Sequence, residues 1–140
     1  MRIILAATLA AIAITSTASA ARRSEATLSQ LLDDREAGKP VDCLSLHGVR
    51  SSRIIDGIAV IFDAGGIFYL NRPKAGAELL VGDKAILTRS DSGQICSGEA
   101  VQLFDAASGV QSGSVFLGRF VPYRKKQLQG EPYQAPNNGY

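Results

Sequence analysis

From Val41 onward, turn signals recur at a spacing that leaves room only for short elements. They are Asp56-Gly57, Asp63-Ala64-Gly65-Gly66, Asn71-Arg72-Pro73, Val81-Gly82-Asp83, Asp91-Ser92-Gly93 and Asp105 through Gly109. Between them lie IAVIF, IFYL, KAILTR, AVQLF and VFLGRFVPY, rich in β-branched, aromatic and leucine side chains. No helical run alternates with these strands, so a parallel βαβ arrangement is excluded. The pattern predicts a mainly β domain over residues 41–123, a small antiparallel barrel or sandwich of about six to seven strands.

One helix precedes it. In SEATLSQLLDDREAGKP, Leu28, Leu31 and Leu32 stand at i, i+3 and i+4 and make one apolar stripe. Ser24 is placed to cap the start, Gly38 to end the helix and Pro40 to block continuation, which predicts a helix over residues 24–38 packed on the sheet. Asp33, Asp34 and Glu36 would then sit at the wrong end of the helix dipole.

The first twenty residues are of another kind. Arg2 is followed by an apolar stretch of twelve residues, Ile3 to Ile14, and then by small residues closing on Ala18-Ser19-Ala20. A membrane-spanning helix needs about 20 apolar residues. The pattern is that of a secretory signal peptide over residues 1–20, cut after Ala20. A periplasmic or secreted protein is expected, with no transmembrane segment in the mature chain. Without Arg2 the chain carries 14 basic and 13 acidic side chains, a balance that offers nucleic acid no electrostatic handle. RKKQLQGEPYQAPNNGY, residues 124–140, is polar with two prolines and two glycines, and is expected to be a disordered tail.

Cys43 and Cys96 are the only cysteines, and both lie in the exported part. An even count in an oxidising compartment predicts a structural disulfide. Closing a loop of 54 residues would stabilise the fold by about 4 kcal/mol in the chain-entropy account. No C-x-x-C motif suggests a redox pair.

CLSLHGVRSSRIIDGIAVIF holds the letters that most resemble an active site. Along a regular strand, Cys43 and His47 stand about 13 Å apart, too far for a thiol–imidazole pair. Only a bend at Gly48 would bring them closer. Taking Asp56-Gly57 as a two-residue hairpin pairs Ile55 with Ile58 and Arg53 with Val60. Taking Asp63 to Gly66 as the next turn pairs Phe62 with Ile67. One face then collects Ile54, Ala59, Ile61, Phe68 and Leu70. The other collects Arg53, Val60, Phe62, Tyr69 and Asn71 among others, and is the face the helix is expected to cover. Arg53, Tyr69 and Asn71, polar groups beside apolar surface, are the ligand-binding candidates.

Catalytic chemistry finds little purchase. His47 is the only imidazole, and no G-x-S-x-G motif accompanies it. Asp56, Asp63, Asp91 and Asp105 all begin turns, a structural role. One histidine and a bonded cysteine pair do not make a metal site, and no phosphate-binding glycine loop occurs. No catalytic residue, metal or cofactor is assigned. The residues point to a non-catalytic binding or envelope-interaction module whose partner is a small molecule or an envelope protein. A small exported enzyme of unrecognised type is the alternative.

CLSLHGVRSSRIIDGIAVIF, GGIFYLNR, QICSGEAVQLFD and GSVFLGRFVPY, in that order, resemble a family of small exported bacterial proteins that carries no assigned activity. The resemblance covers Val41 to Tyr123 through a C-[IL]-S-L, Y-x-N, [LI]-C-S and L-G-x-F pattern, and transfers no catalytic residues. Family members carry two further cysteines near the segments matching AGAELL and GSVFLGRF, which are absent here. That implies the missing two were partners of each other, and that Cys43 and Cys96 are the remaining pair.

Overall fold

A computed structural model of the chain describes residues 15–88 and 90–127. Helix α1 (Thr15–Leu32) is followed by ten strands: β1 (Arg35–Ala37), β2 (Cys43–Ser45), β3 (Ser51–Ile55), β4 (Ala59–Ala64), β5 (Ile67–Asn71), β6 (Lys84–Leu87), β7 (Gln94–Cys96), β8 (Ala100–Asp105), β9 (Gln111–Phe116) and β10 (Phe120–Lys125). They form a five-stranded sheet in the order β1-β10-β5-β4-β3, a three-stranded sheet β6-β8-β9 and the ribbon β2-β7, with every pairing antiparallel. The domain is mainly β, with a helix and a sandwich rather than a closed barrel. The count exceeds the expected six to seven. VFLGRFVPY breaks at Leu117–Arg119 into β9 and β10, and β1, β2 and β7 are three-residue pairings with little sequence signal.

Two cores share the five-stranded sheet. Between the sheets lie Leu44, Val60, Phe62, Leu80, Ile95, Val101, Leu103, Val115, Leu117 and Phe120, with Phe62 and Phe120 meeting edge to face at 6.0 Å. On the opposite face, Ile55, Ala59, Ile61 and Leu70 pack with Leu28, and with Leu31 and Leu32 at the margin. The leucine stripe of α1 therefore covers the more uniformly apolar face, not the mixed one expected. The mixed face is the interior of the sandwich.

The register differs as well, and it moves β3 between the faces. In the first hairpin Ile55 pairs with Ala59 and Arg53 with Ile61. The loop is three residues, Asp56 to Ile58; in it the Gly57 N–H donates to the Leu80 carbonyl (2.8 Å) and the Ile58 N–H to the Ile55 carbonyl (3.1 Å). The expected two-residue turn misses by one residue, and a slip of one sends every side chain of β3 to the other face. In the second hairpin Gly65 and Gly66, both with positive φ, form a two-residue loop, so Ala64 pairs with Ile67 and Phe62 with Tyr69. That differs from the expected pairing by two residues, and the faces of β4 and β5 are unchanged.

Helix α1 ends at Leu32, short of Gly38, because Arg35–Ala37 is drawn into the sheet beside β10. Gly38 instead donates its N–H to the Pro122 carbonyl (2.7 Å). Ser24 lies within the helix and caps nothing. Asp33, Asp34 and Glu36 therefore lie beyond the helix. Lys126 closes that end, its Nζ donating to the Asp33 carbonyl (2.8 Å) and its N–H to the Asp34 carbonyl (2.9 Å). Arg124 and Lys125 belong to β10 rather than to a tail. The expected signal peptide falls partly, and the rest of the expected tail from residue 128 wholly, outside the described residues.

Candidate functional site

Cys43 and Cys96 face each other directly across the β2–β7 ribbon and are joined by a disulfide, S–S 2.09 Å. The Cys96 N–H donates to Glu99 Oε2 (2.8 Å), and the Ser97 N–H to the Asp42 carbonyl (2.7 Å). Beside the bond, Leu44 and Ile95 point the other way into the sandwich core. The bond is a surface staple over that core, and neither sulfur is available as a nucleophile. The bend that Gly48 allows is present: Leu46–Gly48 form a single 3₁₀ turn that separates β2 from β3. His47 lies over Gly93, where any added Cβ would strike its ring. It reaches no cysteine thiol, because both sulfurs are spent.

Arg53, Tyr69 and Asn71 do not share a face. Tyr69 is half-buried and packs against the sandwich core between Phe62 and Pro122 in the sheet. Asn71 is fully buried. Its Nδ2 donates to the Gly118 carbonyl (2.8 Å) and its Oδ1 accepts the Gly118 N–H (3.0 Å). Both polar ends of the amide are thus spent on the backbone of one residue, which is what a buried amide requires. Gly118 itself runs against the carbonyl of Arg72, leaving no space for a side chain. Asn71 is a structural clamp between β5 and the β9–β10 bend, and Tyr69 is core lining.

Arg53 remains, on the helix side of the sheet and exposed. β3 is an end strand of its sheet, which places this side chain on a rim. Three concavities meet there. A cleft of about 450 Å³ opens between α1 and β3, lined by Arg23, Thr27, Leu31, Arg53 and Asp56 among others. A small cavity of about 70 Å³ lies under Leu31, between Ser51, Arg53, Asp63 and Phe68. A trough of about 340 Å³ separates Ser52–Ile54 from Lys84–Ile86. Among the described residues Arg53 makes no ion pair or hydrogen bond, whereas Arg72, Arg119 and Lys84 are each engaged with carboxylates. An exposed guanidinium without an intramolecular anion is a ready hydrogen-bonding fork for carboxylate or phosphate.

The sequence reading missed Arg35, which it placed on the helix. Its side chain is 7% exposed, stacks 3.5 Å above the centre of the Phe68 ring, and donates from Nη1 to the Gly66 carbonyl (2.6 Å). Among the described residues Nε has no hydrogen-bond partner, with Asp34 Oδ1 3.6 Å away. The stack is a cation–π contact that seals one side of the helix-facing core. No pattern in the sequence announces it, since an arginine in DDREAG reads as a solvated helix residue.

Two carboxyls are held below the ordinary range. Hydrogen bonds from Arg72 to both oxygens of Glu25 (2.8 and 2.9 Å) depress Glu25 from 4.5. The Ser108 backbone and hydroxyl, with Lys84 beyond them, depress Asp105. Both are structural: one ties α1 to the chain after β5, the other shapes the β8–β9 turn. Among the described residues no three His, Cys, Asp or Glu side chains gather as a metal site would need, and no helix is long and apolar enough to cross a membrane. No protein-family model matches the chain, and neither curated proteins nor solved structures give a match.

Proposed function

We propose that the protein is an exported, non-catalytic binding module whose working surface is the rim of β3 around Arg53. The observation that carries this reading is the Arg53 guanidinium, exposed where three concavities meet and unmatched by any carboxylate among the described residues. The expected leader supports export, and a structural disulfide is characteristic of oxidising compartments. The resemblance to small exported bacterial proteins points the same way and brings no catalytic set with it. Envelope interaction in the periplasm, or binding after secretion, is the setting this reading assigns.

The test is capture from extract of the exported fraction on wild-type protein and on Arg53→Glu. Wild type should retain a reproducible ligand or partner that the variant loses by about tenfold, roughly 1.4 kcal/mol. Identical captures on both would remove Arg53 from the function. An N-terminus far from Ala21 in the cell-derived protein, seen by mass analysis, would remove export.

A further inference from the structure

Building on that reading, we propose that the partner is an extended polypeptide segment. It adds as a strand to the open seam between β3 and β6 and presents an acidic side chain to Arg53.

The topology creates the seam. β3 ends the five-stranded sheet and β6 ends the three-stranded sheet, and the two sheets enclose one core. At the far ends of the two sheets, Val41 bridges Phe120 of β10 beyond the short end strand β1, and Ala75 bridges Phe116 of the end strand β9. Between β3 and β6 no bridge forms among the described residues. The Gly57–Leu80 hydrogen bond joins the approaches to these edges, and the 340 Å³ trough lies between Ser52–Ile54 and Lys84–Ile86.

An end strand directs the N–H and C=O of every second residue away from its single neighbour. Here two such edges line one trough. A backbone in extended conformation offers donors and acceptors at the repeat those edges present, about 3.3 Å per residue. A compact small molecule does not. Ile54 and Ile86 are half-buried at the margin of the sandwich core, so alternate side chains of an added strand would meet apolar surface on the inner side. On the outer side stands Arg53. Lys84, the other cation at the trough, already faces Asp83 (3.6 Å) and Asp105 (3.5 Å). The charge left to be matched is therefore positive, which selects an acidic residue in the incoming strand. It also disfavours a second copy of this chain: two β3 strands paired antiparallel about Arg53 would set like charges opposite each other.

The test uses the protein as exported from cells and a display library of short random peptides as the probe. Enriched peptides should alternate apolar and polar residues and carry Asp or Glu. A synthetic representative should slow amide exchange in both Ser51–Ile55 and Lys84–Leu87. Methylating alternate backbone nitrogens of the peptide, which leaves the protein untouched, should weaken binding about tenfold or more, and Arg53→Glu should do the same. No enrichment overturns the proposal. So do peptides that tolerate every pattern of N-methylation, or that leave exchange in both strands unchanged. If peptides fail while Arg53→Glu still abolishes capture from extract, the strand partner falls and the binding module stands. If capture is also insensitive to Arg53, both fall.

Discussion

The two faces of the five-stranded sheet are stabilised by different means. The inner face is closed by a second sheet. Phe62, Phe120, Leu103 and Val115 are essentially inaccessible, and Asn71 is admitted only with both ends of its amide hydrogen-bonded. The outer face is closed by a single helix whose leucines reach only part of it. There Leu28 is buried, Leu31 and Leu32 are half-covered, a 70 Å³ cavity persists beside Phe68, and Arg35 fills the remaining side with its guanidinium. The difference teaches that a sheet sealed by another sheet tolerates little that is polar, whereas one sealed by a helix can use a cation stacked on an aromatic ring.

The comparison is most severely tested at Phe62. Phe62→Ala should cost about 3–5 kcal/mol, because the neighbouring rigid strands cannot collapse into the space. Denaturant melts followed by far-UV dichroism should show one cooperative loss of the whole domain. Survival of the sandwich at nearly unchanged midpoint would mean that the inner face is not the dominant core.

The disulfide should come next. Replacing both Cys43 and Cys96 with Ser should lower stability by roughly 2–5 kcal/mol, through the loop it closes across both central hairpins. The loss should appear in the same transition as Phe62→Ala, since the staple lies over Leu44 and Ile95 of the inner core. Readily alkylated thiols in the native protein would refute the bond. An unchanged melting temperature on reduction would deny its stabilising role.

Leu28→Ala probes the outer face. It should cost about 2 kcal/mol, the low end of the range for such truncations, because a helix can settle onto the sheet where a strand cannot. Amide exchange should rise in α1 before it rises in β4 and β5. Equal acceleration in helix and sheet would show that the two faces behave as one unit.

The smallest effect belongs to the tie between α1 and the chain after β5. Glu25 is depressed in the folded state by Arg72, so its contribution is present above its ordinary pKa of 4.5 and is lost as pH falls through the folded value. The pair is half-exposed, which limits it to about 0.5 kcal/mol. Glu25→Gln should therefore reduce stability slightly at pH 7 and by less at pH 3. A variant that is equally destabilised at both would place the effect in packing rather than charge.

Several features were legible from residue order alone, because they depend on near neighbours. Glycine and aspartate at the turns, short β-branched runs and an i, i+3, i+4 leucine stripe specify a helix followed by antiparallel strands. An even pair of cysteines behind a leader-like segment specified the staple. The candidate trio was another matter. Asn71 follows an aromatic strand as a ligand group would, yet its amide is consumed by Gly118, 47 residues away. Arg53 was assigned to the wrong face because the turn after β3 holds three residues rather than two, with Gly57 hydrogen-bonded to Leu80. Side chains alternate with a period of two, so a single residue of loop length decides which of two cores a strand serves. That loop meets a partner distant in sequence, as do the end of α1 at Leu32 and the side chain of Arg35 on Phe68. Local chemistry chose the elements and the covalent staple. Contacts between distant segments chose the register, the faces and the open seam, because the energies that decide them arise only when those segments meet.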